Sequence, residues 1–221
     1  YTRVGMNSQN LLNQTPLPMR RNEHAEVDFA EIEAFLGQMS FGFLAAQSEM
    51  PYPSIVPLNF AWTMDAVYFH SSRLGQKIKD LKQNNAATFC VADETALIPS
   101  YFTSEKLACP ATAFFKSVMI YGKASFVDDI DEKVRALSAF MQKLQPDGGY
   151  APFDISDDEY RRNIKSVLVT KIQPDSLSAK FKFGQNRDEV SWHKTRDGLV
   201  KRGKPKDAEA VAAMEKRCPF N

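Results

Sequence analysis

The stretch VYFHSSRLGQKIKDL, Val67–Leu81, decides how the rest of the chain is read. Val67–His70 is a run of β-branched and aromatic residues and predicts a short strand. Ser71, Ser72 and Gly75 then supply a small-residue turn. Leu74, Ile78 and Leu81 recur at helical spacing, so an amphipathic helix opens at Lys77, with Lys77, Lys79 and Lys82 outside its buried stripe. Hydroxyls, free amides, a cation and the positive end of a helix are the equipment of a phosphate site. The same residues also make an ordinary polar turn ahead of a helix of solvated lysines, and the stretch alone leaves both readings open.

Upstream, the period is that of strands. FGFLAAQ (41–47) and SIVPLNFAW (54–62) are apolar runs, and Met64–Asp65 join the second to VYFH tightly, so the segment reads as an antiparallel meander. Pro57 has no amide to donate and belongs at an edge, a bulge or a break. Before them, Asp28 opens a helix to Leu36 that Gly37 should stop. Residues 1–22, ending in Arg20-Arg21, read as a polar arm without a signal peptide's apolar core.

Downstream, ATFCVA (86–92) is another strand, followed by a long irregular segment, 93–113, expected near the site mouth. FFKSVMIYGKASFV (114–127) is the strongest strand signal, and Gly122 suggests a bulge. Asp128 or Asp129 starts a helix whose apolar residues are Val134, Leu137, Phe140, Met141 and Leu144. A loop (145–157) and a helical turn near Tyr160 lead to SVLVTKIQ (166–173), which Pro174 should close. SAKFKFGQN (178–186) alternates as a half-exposed strand does. The tail from 187 is charged, with one helical stretch at Asp207–Lys216. The organisation expected is an arm (1–22), one domain (23–186) and a tail packing on or near it (187–221), in a mainly β chain with helices, an α+β class.

Composition narrows the chemistry. The chain has 221 residues, 43% hydrophobic and 25% charged, with net charge +1, so nothing recommends nucleic acid or a membrane as partner. Its three cysteines, Cys90, Cys109 and Cys218, form no CxxC pair, which suits a reducing, cytoplasmic setting. Three histidines at unrelated positions offer no metal-ligand spacing, and no metal is expected. Neither GxSxG, GxGxxG nor a P-loop is present.

SIVPLNFAW, then YFHSSRLGQKIKDL, then FFKSVMIYGKASFVDDIDEKVRAL resemble, in that order, the FMN-binding split-barrel superfamily of pyridoxamine 5′-phosphate oxidase, and within it the nitroimidazole-resistance branch. The resemblance spans about residues 20–185 and implies an antiparallel split β-barrel with peripheral helices, binding FMN at a homodimer interface. Carried over by position, Ile55, Val56, Pro57 and Leu58 would lie along the isoalloxazine, with Asn59 reaching it through its side chain. His70, Ser71, Ser72, Gln76 and Lys77 would hold the ribityl chain and phosphate. Ser117 would approach from the next strand. Lys182, Gln185 and Asn186 would touch the flavin or else be surface residues of their strand. His70 is the candidate catalytic group, as a stabiliser of the charge on reduced flavin.

The chain also departs from the family pattern. SIVPLN lacks the arginines and lysine with which pyridoxamine phosphate oxidases grip substrate, and the surroundings of Trp192 and Arg196 do not match their C-terminal clamp. The implied activity is therefore an FMN-dependent oxidoreductase passing electrons or hydride to a small acceptor such as a nitroaromatic, with NAD(P)H as donor. The alternatives are a flavin- or heme-binding protein for storage or sensing, and a flavin-independent phosphate-binding module.

Overall fold

The computed structural model describes residues 11–12 and 19–220, so most of the expected arm lies outside the described residues. The chain forms two compact units. The first comprises Asp28–Val91 and Met119–Leu177 with the described part of Tyr1–Pro16; the second comprises Ala92–Val118 and the described parts of Leu17–Val27 and Ser178–Asn221.

In the first unit, α1 (Phe29–Gln38) begins where the Asp28 carboxylate accepts from the Ala30 amide, satisfying an otherwise orphaned donor. Ile32, Phe35 and Leu36 form its buried face, and the helix runs through Gly37 rather than stopping there. Strands β1 (Phe41–Ala46), β2 (Ser54–Asn59), β3 (Ala61–Thr63) and β4 (Ala66–Ser71) follow, then α2 (Gln76–Gln83), β5 (Ala86–Ile98), β6 (Thr112–Val127), α3 (Ile130–Leu144), α4 (Asp158–Ser166) and β7 (Leu168–Lys182). The seven strands form one sheet in the order β2-β1-β5-β6-β7-β4-β3. The class is α+β on an antiparallel sheet, as expected.

That order contains a strong constraint. β2 and β3 are the two edges of the sheet, yet only Phe60 separates them in the chain. One residue spans a few ångströms, so the sheet has to curl until its edges meet. The expected single strand 54–62 is thus two strands divided at this corner. Phe60 is fully buried against Phe89, with ring centroids 5.0 Å apart, and its amide donates to Ser40 O. Pro57 sits on an edge strand opposite Phe43, where a missing donor is tolerated. Met64 and Asp65 both take positive φ in the two-residue β3–β4 connection, the conformation tight hairpins require.

Two proline and loop expectations change. β7 does not end at Pro174 but continues to Lys182, so 168–173 and 178–182 belong to one strand, while 183–186 form a turn after it. At this point β6 presses on β7: a Cβ on Gly122 would lie 2.2 Å from Gln173 O, which explains the glycine as a backbone crossing. β5 extends to Ile98, and a 3₁₀ turn at Ser100–Phe102 follows, so the irregular segment is much shorter than 93–113.

The buried stripe of α3 also differs. It runs Lys133, Ala136, Phe140, while Leu144 is exposed. Lysines on this helix act as caps for other elements. The Lys143 ammonium donates to Leu36 O and Met39 O at the end of α1 and to Phe60 O at the sheet corner (3.0, 2.5 and 3.3 Å), with the Phe60 ring centroid 4.2 Å away. A cation on a helix C-terminus is favoured by the dipole as well as by the carbonyls.

The second unit holds the remaining ends of β5, β6 and β7. It also holds α5 (Glu189–Arg202) and α6 (Asp207–Lys216), where one helical stretch was expected. Trp192, Thr195 and Leu199 form the buried face of α5. Arg202 and the buried Asp207 pair, and their hydrogen bond holds the Asp207 carboxyl below its ordinary value. Arg21 pairs with Glu23 at the surface. No helix among the described residues is long and apolar enough to cross a membrane.

Burial pushes Lys143 down to about 8 from the ordinary 10.5. Between those values the unfolded chain keeps a proton that the folded chain releases, so stability should rise with pH across that window. Lys143→Met deprives three carbonyls of their donor. It should lower stability by about 2–3 kcal/mol at neutral pH in urea denaturation and abolish the alkaline rise.

Candidate functional site

The strand-to-helix turn lies in the first unit. β4 pairs with β7, His70 opposite Val169 and Ser71 opposite Leu168, so the turn starts beside the first residue of β7. Gly75 precedes α2 with φ at +146°, a conformation that side chains resist. No side chain among the described residues caps the helix: Ile78 and Lys79 amides bond to Gly75 O, which leaves the Gln76 and Lys77 amides available. Within the turn, Ser71 Oγ donates to Ser72 O, and Ser72 Oγ accepts from the Leu74 amide. Leu74 is 85% exposed, so the buried stripe of α2 is Ile78, Asp80 and Leu81 instead. Gln76 Nε2 donates to Asp80 Oδ1 at 2.7 Å. Lys77 is half-buried and has no ion pair or hydrogen bond among the described residues.

Two further cations lie beside this turn. Arg73 donates from Nε to Ser166 O and from Nη2 to Lys165 O (3.3 and 3.2 Å). Lys133, 4% exposed, donates to Ile164 O, Lys165 O and Val167 O (3.4, 3.4 and 3.0 Å). Both therefore cap the C-terminus of α4, and they share one carbonyl. Burial, then the Arg73 charge, lowers the Lys133 pKa, with Asp128 opposing. Neither cation has a carboxylate ion pair among the described residues; Asp128 acts on Lys133, and the buried Asp80 lies one turn into α2. Arg73 and Lys133 are not among the site residues expected from sequence. Their detectable signals were an arginine inside the turn itself and a lysine in register with Ala136 and Phe140 on an otherwise apolar stripe.

The remaining expected residues are placed as follows. α2 packs against β1 and β2, so the helix behind the turn adjoins the strand of Ile55–Asn59. Ile55 is 62% exposed on β2, and Asn59 spends its amide on Ser40 O. His70 meets the Phe140 ring at 5.0 Å, edge to face, and burial lowers its pKa, favouring neutral imidazole. Ser117, Lys182, Gln185 and Asn186 belong to the second unit. The Gln185 amide is used within that unit: it accepts from the Phe183 amide, donates to Phe181 O and meets His24 Nδ1.

A cavity of about 620 Å³ in the first unit is lined by Gln47, Tyr52, Thr88, Tyr121 and Asp175, among others. It touches none of the expected residues, and among the described residues no lysine or arginine lines it to supply countercharge for a phosphate. Among the described residues no group of three His, Cys, Asp or Glu could hold a metal ion.

A family model described as pyridoxamine 5′-phosphate oxidase matches residues 28–181. No curated protein matches the chain in sequence. Among solved structures, one designated a 5-nitroimidazole antibiotic resistance protein from Bacteroides thetaiotaomicron is 25% identical, over 71% of this chain and 85% of that one, with TM-score 0.57. The flavocytochrome Anf3 from Azotobacter vinelandii is 22% identical, covering 80% and 78%, at TM-score 0.62. The FAD and heme binding protein from Mycobacterium smegmatis is 14% identical, covering 82% and 81%, at TM-score 0.61. The last two likenesses show the fold alone.

Arg73→Ala should release the end of α4 from the turn. The expected result is faster amide hydrogen exchange confined to residues 71–75 and 164–168, with about 1–2 kcal/mol lost in denaturation.

Proposed function

The chain belongs to the pyridoxamine 5′-phosphate oxidase family, and from that premise we propose an FMN-dependent oxidoreductase that reduces a small acceptor such as a nitroaromatic, with NAD(P)H as donor. The observation that carries this reading is the turn at 71–77. Its free Gln76 and Lys77 amides, a Lys77 with no ion pair among the described residues, and the neighbouring Arg73 and Lys133 fit a phosphate monoester. Ser71, Ser72, Gln76 and Lys77 would hold that phosphate. The exposed edge strand β2, with Ile55, Val56, Pro57 and Leu58, would present backbone and apolar surface to the flavin ring, beside Asn59.

FMN, when bound, supplies the hydride or electron transfer. The residues of the chain orient it and set the charge around it. His70, pushed toward its neutral form by burial, would contribute a hydrogen bond rather than a full charge. The nitroimidazole-resistance relative supports a nitro compound as acceptor. β2 carries no charged side chain, so nothing there would grip the phosphate of pyridoxamine phosphate.

The same strands support a homodimer. Phe41, Phe43 and Ile55 are each more than 40% exposed, and the register β1–β2 sets Phe43 opposite Pro57 and Ala45 opposite Ile55. An apolar sheet face of this kind suits a second copy of the chain. All three cysteines are free, in keeping with a reducing compartment.

The purified protein should take up FMN, sediment at twice the chain mass, and bleach with NAD(P)H under anaerobic conditions until a nitroaromatic is added. Ser71→Ala combined with Lys77→Ala should weaken FMN binding by about 2–4 kcal/mol, from the loss of charge-assisted hydrogen bonds. Unchanged affinity in that variant would place the phosphate elsewhere. Flavin that binds but is never reduced would favour storage or sensing over catalysis.

A further inference from the structure

The second unit contains a cavity of about 250 Å³ whose lining includes Lys182, Arg187, Thr112, Asn186 and Cys109, with Phe114 as apolar wall. Two cations face it, and among the described residues no carboxylate lines it. Lys182 Nζ donates to Thr112 Oγ1 at 2.5 Å, and Arg187 Nη2 donates to Pro110 O at 3.3 Å. The lysine therefore keeps two protons, the threonine its hydroxyl proton, and the guanidinium most of its five donors, for another acceptor.

The electrostatics around the cavity are unrelieved. Burial lowers the pKa of both cations, and Lys180, Arg187 and Arg21 press that of Lys182 further down. Lys180 lies 5.6 Å and Lys182 6.0 Å from the centroid of Phe115, two cations on one ring. Asp188 is the acid that acts on Arg187, but it is exposed and its carboxylate caps α5 through the Ser191 amide at 2.9 Å. Neither Lys182 nor Arg187 has an ion pair among the described residues. Like charges held half-buried around an open cavity are stabilised by an anion entering it.

We propose that this cavity is a second oxyanion site, separate from the turn at 71–77, which takes the phosphate group of a small phosphomonoester. The guanidinium offers a planar pair of donors and the lysine a point charge, the combination that suits a phosphate oxygen cluster. The cavity's volume, below the roughly 300 to 1,000 Å³ of pockets that take whole ligands, suits a headgroup. Asn186 is exposed and Cys109 lies at the surface, so the site is reachable from solvent.

Inorganic phosphate is the direct probe, followed through backbone amide resonances of the full chain. Thr112, Asn186 and Arg187 should shift saturably, and Lys182→Met or Arg187→Met should weaken that response at least tenfold. The Ser71→Ala, Lys77→Ala chain should keep it intact, so failure of the flavin reading and failure of this one are distinguishable. Acetate, singly charged and planar, should bind more weakly than phosphate. The unsubstituted chain gives a second readout: phosphate should slow alkylation of Cys109 by iodoacetamide, leaving Cys90 and Cys218 unaffected. Shifts confined to 71–77, an unchanged response in both methionine variants, or no protection of Cys109 would overturn the proposal.

Discussion

The first unit depends on one connection. The chain crosses from one edge of a seven-stranded sheet to the other through Phe60 alone, so the edges must meet there. Such a corner concentrates backbone groups that neither β2 nor β3 can satisfy, and burying them unpaired costs free energy. The Lys143 ammonium answers that need, donating to Phe60 O and to two carbonyls at the end of α1. One cation thus ties α3, α1 and the sheet corner together. The cost is desolvation of a charge, which appears as a lysine that releases its proton well below the usual range.

Curling also places the candidate site. With the edges joined, α2 can follow β4 and still pack on β1 and β2. The turn that starts α2 is rigid at its other end, because Arg73 and Lys133 hold the last carbonyls of α4. These capping contacts serve stability, but they assemble positive charge beneath a helix start whose own amides are free. On the proposed reading, fold stability and anion affinity rest on the same residues. Changing either cation should then alter both, and the two effects have to be measured separately.

Much of this was legible in the sequence because it rests on local signals. Asp28 at a helix start, Met64–Asp65 between strands and the glycine-serine turn before α2 follow from propensity and turn chemistry. The errors lie where tertiary context overrides local cues. Pro174 looked like a strand end, yet it is buried within β7 where the Gly122 backbone crosses. Leu74 looked like core by spacing and is exposed. Lys133 and Lys143 lie outside the apolar set expected for their helix, and they cap helices distant in sequence. α5 escaped notice because Trp192, Thr195 and Leu199 are sparse among charges. Ser117, Lys182, Gln185 and Asn186 were assigned by resemblance, and resemblance carries no information about which hydrogen bonds Gln185 already makes.

The central claim is that the turn at 71–77 is built for the phosphate of a flavin mononucleotide. Parallel calorimetric titration with FMN and with riboflavin isolates that group, since the two ligands differ only by it. The account predicts that FMN binds roughly a hundredfold more tightly, the scale of about two charge-assisted hydrogen bonds, and that Lys77→Ala removes most of the difference. Equal affinity for the two ligands, or a preference for FMN that survives in Lys77→Ala, would contradict it.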